Sequence, residues 1–231
     1  MSDYLDIRTP DGNFHAYRVL PKAAKAPAVV VVQEIFGINA DMKETCRWVA
    51  DQGFIAVCPD LFWRIEPGVS MSSLNEAEWK KAFALYQAFD RDRGVADIAA
   101  TMDHARGLAQ ASGSCAVMGF CLGGLMTFLT AARQRPDAAV SYYGGETDKY
   151  LGEMPSVHKP LLMHLAEEDE YIAPPARERI VKAAKSNPMV TVHTYPKCNH
   201  AFARHNGVHY DAAAAALANS RSSEFLRRHL A

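Results

Sequence analysis

The chain lacks the features that would carry it out of the cell, into a membrane or onto a nucleic acid. Apolar runs such as APAVVVVQEIFG fall short of the roughly 20 residues that a membrane-spanning helix needs. The start, MSDYLDIRTPDG, has no basic stretch followed by an apolar one, so no secretion signal is expected. Neither sign of charge dominates. Against 25 Lys and Arg stand 26 Asp and Glu, a net charge of −1, and no basic face for a nucleic-acid partner is implied. Cysteine is scarce and irregular: five, an odd number with no repeating spacing, which argues against a disulfide framework. Thiols kept reduced point to a cytoplasmic protein with a small-molecule partner, neither membrane nor nucleic acid, working as a monomer or small homo-oligomer. Repeats, low-complexity stretches and linkers are also missing.

What is present is apolar material in the right order. Of 231 residues, 49% are hydrophobic, enough for one sizeable core and a single domain over 1–231. Short β-branched runs alternate with stretches of helical period, the pattern of an α/β fold with a mostly parallel central sheet and helices on both faces. Strands are expected at Phe14–Pro21 (in a hairpin with the segment before it), Ala28–Gln33, Phe54–Phe62 and Ser114–Phe120. Further strands are expected in AAVSYYGG, PLLMHLAEED and MVTVHTYP. Helices are expected at Ala40–Gly53, Leu74–Phe89, Gly94–Ala109 and Gly123–Arg133, in PPARERIVKAAKS, and in the long run that closes the chain. The irregular stretch WRIEPGVSMSS is long enough for a lid or a pocket wall.

Cys121 stands at a corner between an apolar strand and an apolar helix, in Gly119-Phe120-Cys121-Leu122-Gly123. Glycines two before and two after a nucleophile make the elbow of the α/β-hydrolases. The turn forces the nucleophile into an unfavourable backbone conformation, and a Cβ two residues away would crowd it. A thiol so placed sits at a helix N-terminus, where the dipole favours the thiolate. The elbow chemistry needs an acid and then a His, each just after a later strand. Four acids, Glu167, Glu168, Asp169 and Glu170, crowd the first position, and spacing does not choose among them. His200 takes the second, ahead of His193 inside a strand and His205 and His209 beyond it. In such a triad the thiol attacks a carbonyl carbon, the His moves the proton and the acid holds the His tautomer. The oxyanion would be held by the backbone N–H of Leu122 and that of Ile35. Metal binding by Cys198, His200, His205 and His209 fits no known zinc spacing, so neither metal nor cofactor is expected.

Taken together, QEIFGINADMKETCRWVADQGFIAVCPDLF, GFCLGG, YYGG, EEDEYIAP and NHAFAR resemble the dienelactone hydrolase (carboxymethylenebutenolidase) family, from about Pro10 to Leu230. The resemblance implies an α/β-hydrolase fold, a carboxylic ester hydrolase and a role in the breakdown of aromatic compounds by opening unsaturated lactones. It maps the triad onto Cys121, Asp169 and His200, and so selects one acid among four. It adds Glu34 as the carboxylate that takes the thiol proton when substrate arrives, and Arg204 as a clamp for a substrate carboxylate. It implies no cofactor.

One departure stands out. Where the resemblance implies a second pocket Arg, this chain has Trp79, with Lys80 and Lys81 next to it and Arg64 in the preceding loop. A Trp there suits a larger or more apolar acyl group, so a broader carboxylesterase or thioesterase is the alternative to a dienelactone-type hydrolase. Phe36, Trp63, Phe83, Tyr86, Tyr142 and Phe202 are the aromatic candidates for pocket lining. Cys46, Cys58 and Cys115 read as small core hydrophobes.

Overall fold

The computed structural model describes residues 2–230. They fall into two compact units divided between Val117 and Met118, each with strands and helices of its own.

The first unit opens with a hairpin. Strand β1 (Ser2–Thr9) pairs antiparallel with β2 (Gly12–Val19) across a two-residue turn, and Thr9 Oγ1 donates to the Gly12 carbonyl at 2.9 Å. Strands β3 (Ala26–Val32) and β4 (Ile55–Pro59) are parallel and buried at nearly every position. Burial on both faces is why they read as unbroken apolar runs rather than as alternation. Between them lies α1 (Ala40–Asp51). Its N-cap, Asn39, accepts from the Met42 N–H at 3.0 Å and donates its side-chain amide to the Met71 carbonyl at 2.9 Å. One residue thus starts a helix and anchors the loop beyond β4.

That loop is tied down along its length. Gly68 N–H donates to Asp60 at 2.7 Å and Trp63 Nε1 to Asp97 at 2.9 Å. Arg64 is shared between Asp11 and the buried Asp97. Backbone bonds from Ile38 to Val69 and from Met71 to Phe36 stitch it to the turn after β3. At that seam Gly37 has φ +74, and a Cβ there would lie 2.0 Å from the Val69 carbonyl oxygen. Helices α2 (Glu76–Ala88) and α3 (Arg91–Arg106) follow, capped by Asn75 and Asp90, each accepting from two first-turn N–H groups. The strands of this unit lie in the order β1-β2-β4-β3, with the start of β5 (Ala111–Phe120) beside β3.

In the second unit the last residues of β5 are followed by α4 (Leu122–Arg133), β6 (Ala139–Tyr142), a 3-10 stretch (Thr147–Ser156), β7 (Leu161–Ala166), α5 (Pro174–Ala184), β8 (Val190–Tyr195) and α6 (Ala212–Leu230). Pairings of β6 with β7 and of β7 with β8 are parallel. Every residue of α4 from Leu122 to Ala131 is buried, which accounts for a helix apolar on all sides. The fold class is α/β, with eight strands mostly in parallel pairings. No described helix is long and apolar enough to cross a membrane.

Candidate active site

Strand β5 ends at Phe120 and α4 begins at Leu122, so Cys121 alone makes the corner. Its backbone takes φ 55 and ψ −115, a region that costs a side-chain-bearing residue on the order of 1–3 kcal/mol and persists only where the surroundings enforce it. Here they do. The Cys121 N–H donates to the Tyr142 carbonyl at 3.1 Å, and its own carbonyl accepts from Gly124 at 2.9 Å and Leu125 at 3.1 Å. A Cβ on Gly119 would stand 2.1 Å from the Gly123 carbonyl oxygen, and one on Gly124 would stand 2.3 Å from that of Tyr142. Only glycines let strand, turn and helix approach this closely. All five cysteines are free, and Cys121 is the one with accessible surface; the other four are buried. Leu122, as the first residue of α4, holds its N–H at the positive end of the helix dipole beside the thiol.

The loop after β7 sorts the four acids by burial. Asp169 is 5% exposed, while Glu167 is half-buried and Glu168 and Glu170 are exposed. Glu167 is engaged by Thr194 at 2.8 Å, and Glu170 pairs with His209 at 3.5 Å. Asp169 Oδ1 accepts from the backbone N–H groups of Tyr171 at 2.9 Å and Ile172 at 3.1 Å, which fixes the carboxylate. Both of its oxygens then meet His200 Nδ1 at 3.0 Å. Asn199 joins the two loops, its side-chain oxygen accepting from Glu170 N–H at 3.0 Å and from His200 N–H at 2.6 Å.

With Nδ1 taken by Asp169, Nε2 is the His200 nitrogen left for chemistry. It is buried and close enough to Cys121 for the sulfur to act on the ring's ionisation. Burial opposes a charged ring, but the Cys121 thiolate and Asp169 outweigh it and raise the His200 pKa to about 10. The rise belongs to the pair, because it operates when the sulfur is anionic. Two aromatic rings clamp the imidazole. Tyr143, fully buried and held at φ 37, meets it at 5.1 Å between centroids. Tyr171, half exposed, meets it edge-on at 4.8 Å and 79°.

Arg204, which follows His200 by four residues, is nine-tenths buried, as a surface arginine would not be. It lies close enough to Tyr171 to act on its ionisation, as do Glu170 and Cys121. In the first unit Glu34 is 4% exposed and Ile35 5% exposed in the turn after β3. Trp79 donates its indole N–H to the Ser73 carbonyl at 2.6 Å and sets its ring edge-on against Phe36 at 4.8 Å.

Several expectations change. Lining was expected of Phe36, Tyr142 and Phe202, but all three have no accessible surface. Phe202 packs against Tyr143 and Tyr195, and the Tyr142 hydroxyl is bonded to Ser222 at 2.6 Å and Asn219 at 2.9 Å; they pack as core. Of the cations near Trp79, Arg64 is committed to Asp11 and Asp97, and Lys81 to Glu66 at 2.5 Å. Asn199, Tyr143 and Tyr171 went unnoticed in the sequence. Asn199 and Tyr171 each adjoin or nearly adjoin a triad candidate, which was the only signal available. Among the described residues no group of three or more His, Cys, Asp or Glu is placed to hold a metal ion.

The model of the dienelactone hydrolase family matches residues 14–230. The chain belongs to the dienelactone hydrolase family. A carboxymethylenebutenolidase of Pseudomonas putida is 41% identical over 227 residues, covering 98% of this chain and 96% of the relative. Among solved structures, a Klebsiella pneumoniae protein provisionally named a dienelactone hydrolase has a TM-score of 0.87 at 24% identity, covering 99% of this chain and 98% of its own. A dienelactone hydrolase-like promiscuous phosphotriesterase from metagenomic libraries has a TM-score of 0.83 at 20% identity, covering 100% and 99%. At such identities these two speak for the fold alone. Membership in the dienelactone hydrolase family, with relatives this similar over nearly their whole length, makes the protein a hydrolase.

Proposed function

We propose that the protein opens small unsaturated lactones of the dienelactone type through an acyl-enzyme on Cys121, with His200 and Asp169 completing the triad. The observation that carries this reading is the buried His200–Asp169 pair, bonded at 3.0 Å and acting on the charge of a thiol at a strained corner. The Cys121 thiolate attacks the lactone carbonyl carbon, and the oxyanion is met by the Leu122 N–H. The ring C–O bond then breaks, and the enol oxygen leaves with the electron pair and takes the proton from His200 Nε2. In the second half Nε2 removes a proton from water, whose oxygen attacks the thioester carbonyl. The C–S bond breaks, restoring thiolate and imidazolium. An enol is a good leaving group, which lets a thiolate adduct go forward where an amide would not. Glu34 as first acceptor of the thiol proton, which must pass on to His200 Nε2 before the enol oxygen can receive it, the Ile35 N–H as second oxyanion donor and Arg204 as carboxylate clamp rest on the family resemblance. Free thiols throughout suit a reducing cytoplasm.

A second reading, a broader carboxylesterase or thioesterase, is favoured by one observation. The position expected to carry a second Arg holds Trp79, set edge-on against Phe36, and Arg64 is already committed. One experiment addresses both. Iodoacetamide should label Cys121 and abolish turnover of cis-dienelactone and of p-nitrophenyl esters together. Turnover that survives complete labelling would reject the thiol mechanism. Before labelling, neutral esters turning over far faster than the anionic lactone would favour the second reading.

A further inference from the structure

Tyr171 has no part in the triad, yet among the described residues no other large apolar side chain combines its exposure with a ring contact to His200. It is 48% exposed while His200 is 3% and Asp169 5% exposed, so the phenol forms the solvent-facing side of a buried pair. Its ring stands edge-on to the imidazole at 4.8 Å and 79°. Its position is not free to drift. Its own N–H and that of Ile172, which is buried, are held by Asp169 Oδ1, and the preceding Glu170 is held by Asn199 and His209. The backbone that orients the acid thus also fixes where the Tyr171 side chain leaves the chain. Cys121 and Arg204 both act on its ionisation, which burial and Glu170 push upward, so the phenol stays neutral at working pH. A flat, uncharged, half-exposed surface beside the reacting imidazole is a surface for a flat acyl group.

We propose, building on the thiol-hydrolase reading above, that Tyr171 is a specificity-determining residue whose ring packs against the acyl chain on Cys121 and selects planar, conjugated acyl groups over saturated ones. A conjugated acyl group can lie against the ring as aromatic pairs do; a saturated chain of equal length is puckered and makes fewer contacts. The selection lies in the ring and not in the hydroxyl.

The test uses p-nitrophenyl crotonate and p-nitrophenyl butyrate, which share a leaving group and a carbon count and differ by one conjugated C=C bond, whose intrinsic effect on carbonyl reactivity cancels when the ratio is compared between variant and parent. Rates are taken per alkylatable Cys121. In Tyr171→Leu the crotonate-to-butyrate ratio of kcat/KM should fall about fivefold from that of the parent, and in Tyr171→Phe it should stay within twofold. Should Tyr171→Leu fail to fold, Tyr171→Met carries the same expectation. A ratio unchanged in the aliphatic variant, both rates falling together, is what a mere cover over His200 would give and would overturn the proposal. So would a Phe variant that loses the ratio as Leu does. If the parent hydrolyses neither ester this inference falls, and if it hydrolyses both after Cys121 is alkylated the thiol-hydrolase reading falls with it. An unchanged ratio in an enzyme that alkylation silences overturns this inference alone.

Discussion

Two imidazoles lie buried in the second unit, both hydrogen-bonded, and burial pushes both towards neutrality; only one ends up neutral. His200, in the loop after β8, faces a carboxylate and a thiolate, and its pKa rises to about 10 despite burial. His164, inside β7, is fully buried and its pKa falls well below the usual value, by burial first and then by His193 and Arg221. Its partners are hydroxyls, and they form a chain that can run only one way. Arg221 can only donate, so it donates to the Tyr195 hydroxyl at 3.2 Å. Tyr195 then donates to His164 Nδ1 at 2.8 Å, and His164 Nε2–H donates to Ser222 at 2.9 Å. Ser222 donates to the Tyr142 hydroxyl at 2.6 Å, which donates to Asn219 at 2.9 Å. Every hydroxyl gives its proton once. A neutral His with one fixed tautomer completes the chain, and a charged one would break it. The partner, not the depth, decides whether a buried His carries charge and hence whether it can do proton chemistry.

The comparison breaks most sharply at His200. Replacing it by Asn removes the group that moves every proton in the proposed cycle, and the rate of lactone or ester hydrolysis should drop by about 10⁴-fold. The fold should survive, since His200 is not a link in the hydroxyl chain. Steady-state kinetics with cis-dienelactone, beside thermal melting, read both. A loss of tenfold or less would remove His200 from the chemistry and leave it a second structural His.

How much of this contrast was legible beforehand differs between the two residues. His164 sits in PLLMHLAEED, where a short run of apolar neighbours marks a strand, and a His inside a strand reads as structural. His200 follows the last strand and was the choice by order alone. The elbow was legible because Gly119 and Cys121 are local, and close approach of backbones leaves a glycine behind. Asp169 was not separable from Glu167, Glu168 and Glu170, because burial is a property of the folded loop and not of the string EEDE. The roles of Tyr171, Tyr143 and Asn199 depend on how two loops meet, which no period records. The hairpin partner of the first strand was legible as β1, but the 3-10 stretch from Thr147 to Ser156 was not, because it mixes Gly, Pro and polar residues with few apolar ones. Aromatics misled in the opposite direction: Phe36, Tyr142 and Phe202 stand next to site residues in the chain, yet their rings point into the core.

The second effect concerns stability. In His164→Leu both Tyr195 and Ser222 lose a buried partner, which should cost about 3 kcal/mol while leaving hydrolysis within tenfold. The pH dependence sharpens the contrast. Because the folded-state pKa of His164 lies below the ordinary value of about 6.5, the unfolded chain takes up a proton below that pH that the folded chain refuses. Its contribution to stability is therefore present above about pH 6.5 and is lost on acidification, by up to about 1.4 kcal/mol per pH unit. His200 has the opposite sign: its contribution is fully present below about pH 6.5 and is lost as pH rises towards about 10. Urea midpoints from pH 5 to 10 should show both slopes in the parent. The acid-side slope should flatten in His164→Leu and the alkaline-side slope should persist. An acid slope that is the same in parent and variant would mean that His164 is not held neutral.

The smallest effect tests whether the hydroxyl chain acts as a chain. Tyr142→Phe keeps the ring that packs on Phe120 at 4.6 Å and on His164 at 4.5 Å, and removes only the hydroxyl between Ser222 and Asn219. Loss of one link should cost about 1 kcal/mol, less than the two links lost with His164. The two changes share Ser222, so the double variant should cost less than the sum of the singles. The elbow should feel nothing, because Tyr142 supports Cys121 through its backbone carbonyl at 3.1 Å, which the substitution leaves in place. Thermal melts of the two single variants and the double, with turnover measured alongside, decide it. Additive costs would mean that the links are independent. A fall in turnover would mean that the neutral His and the charged one are not the separate devices that their opposite titrations describe.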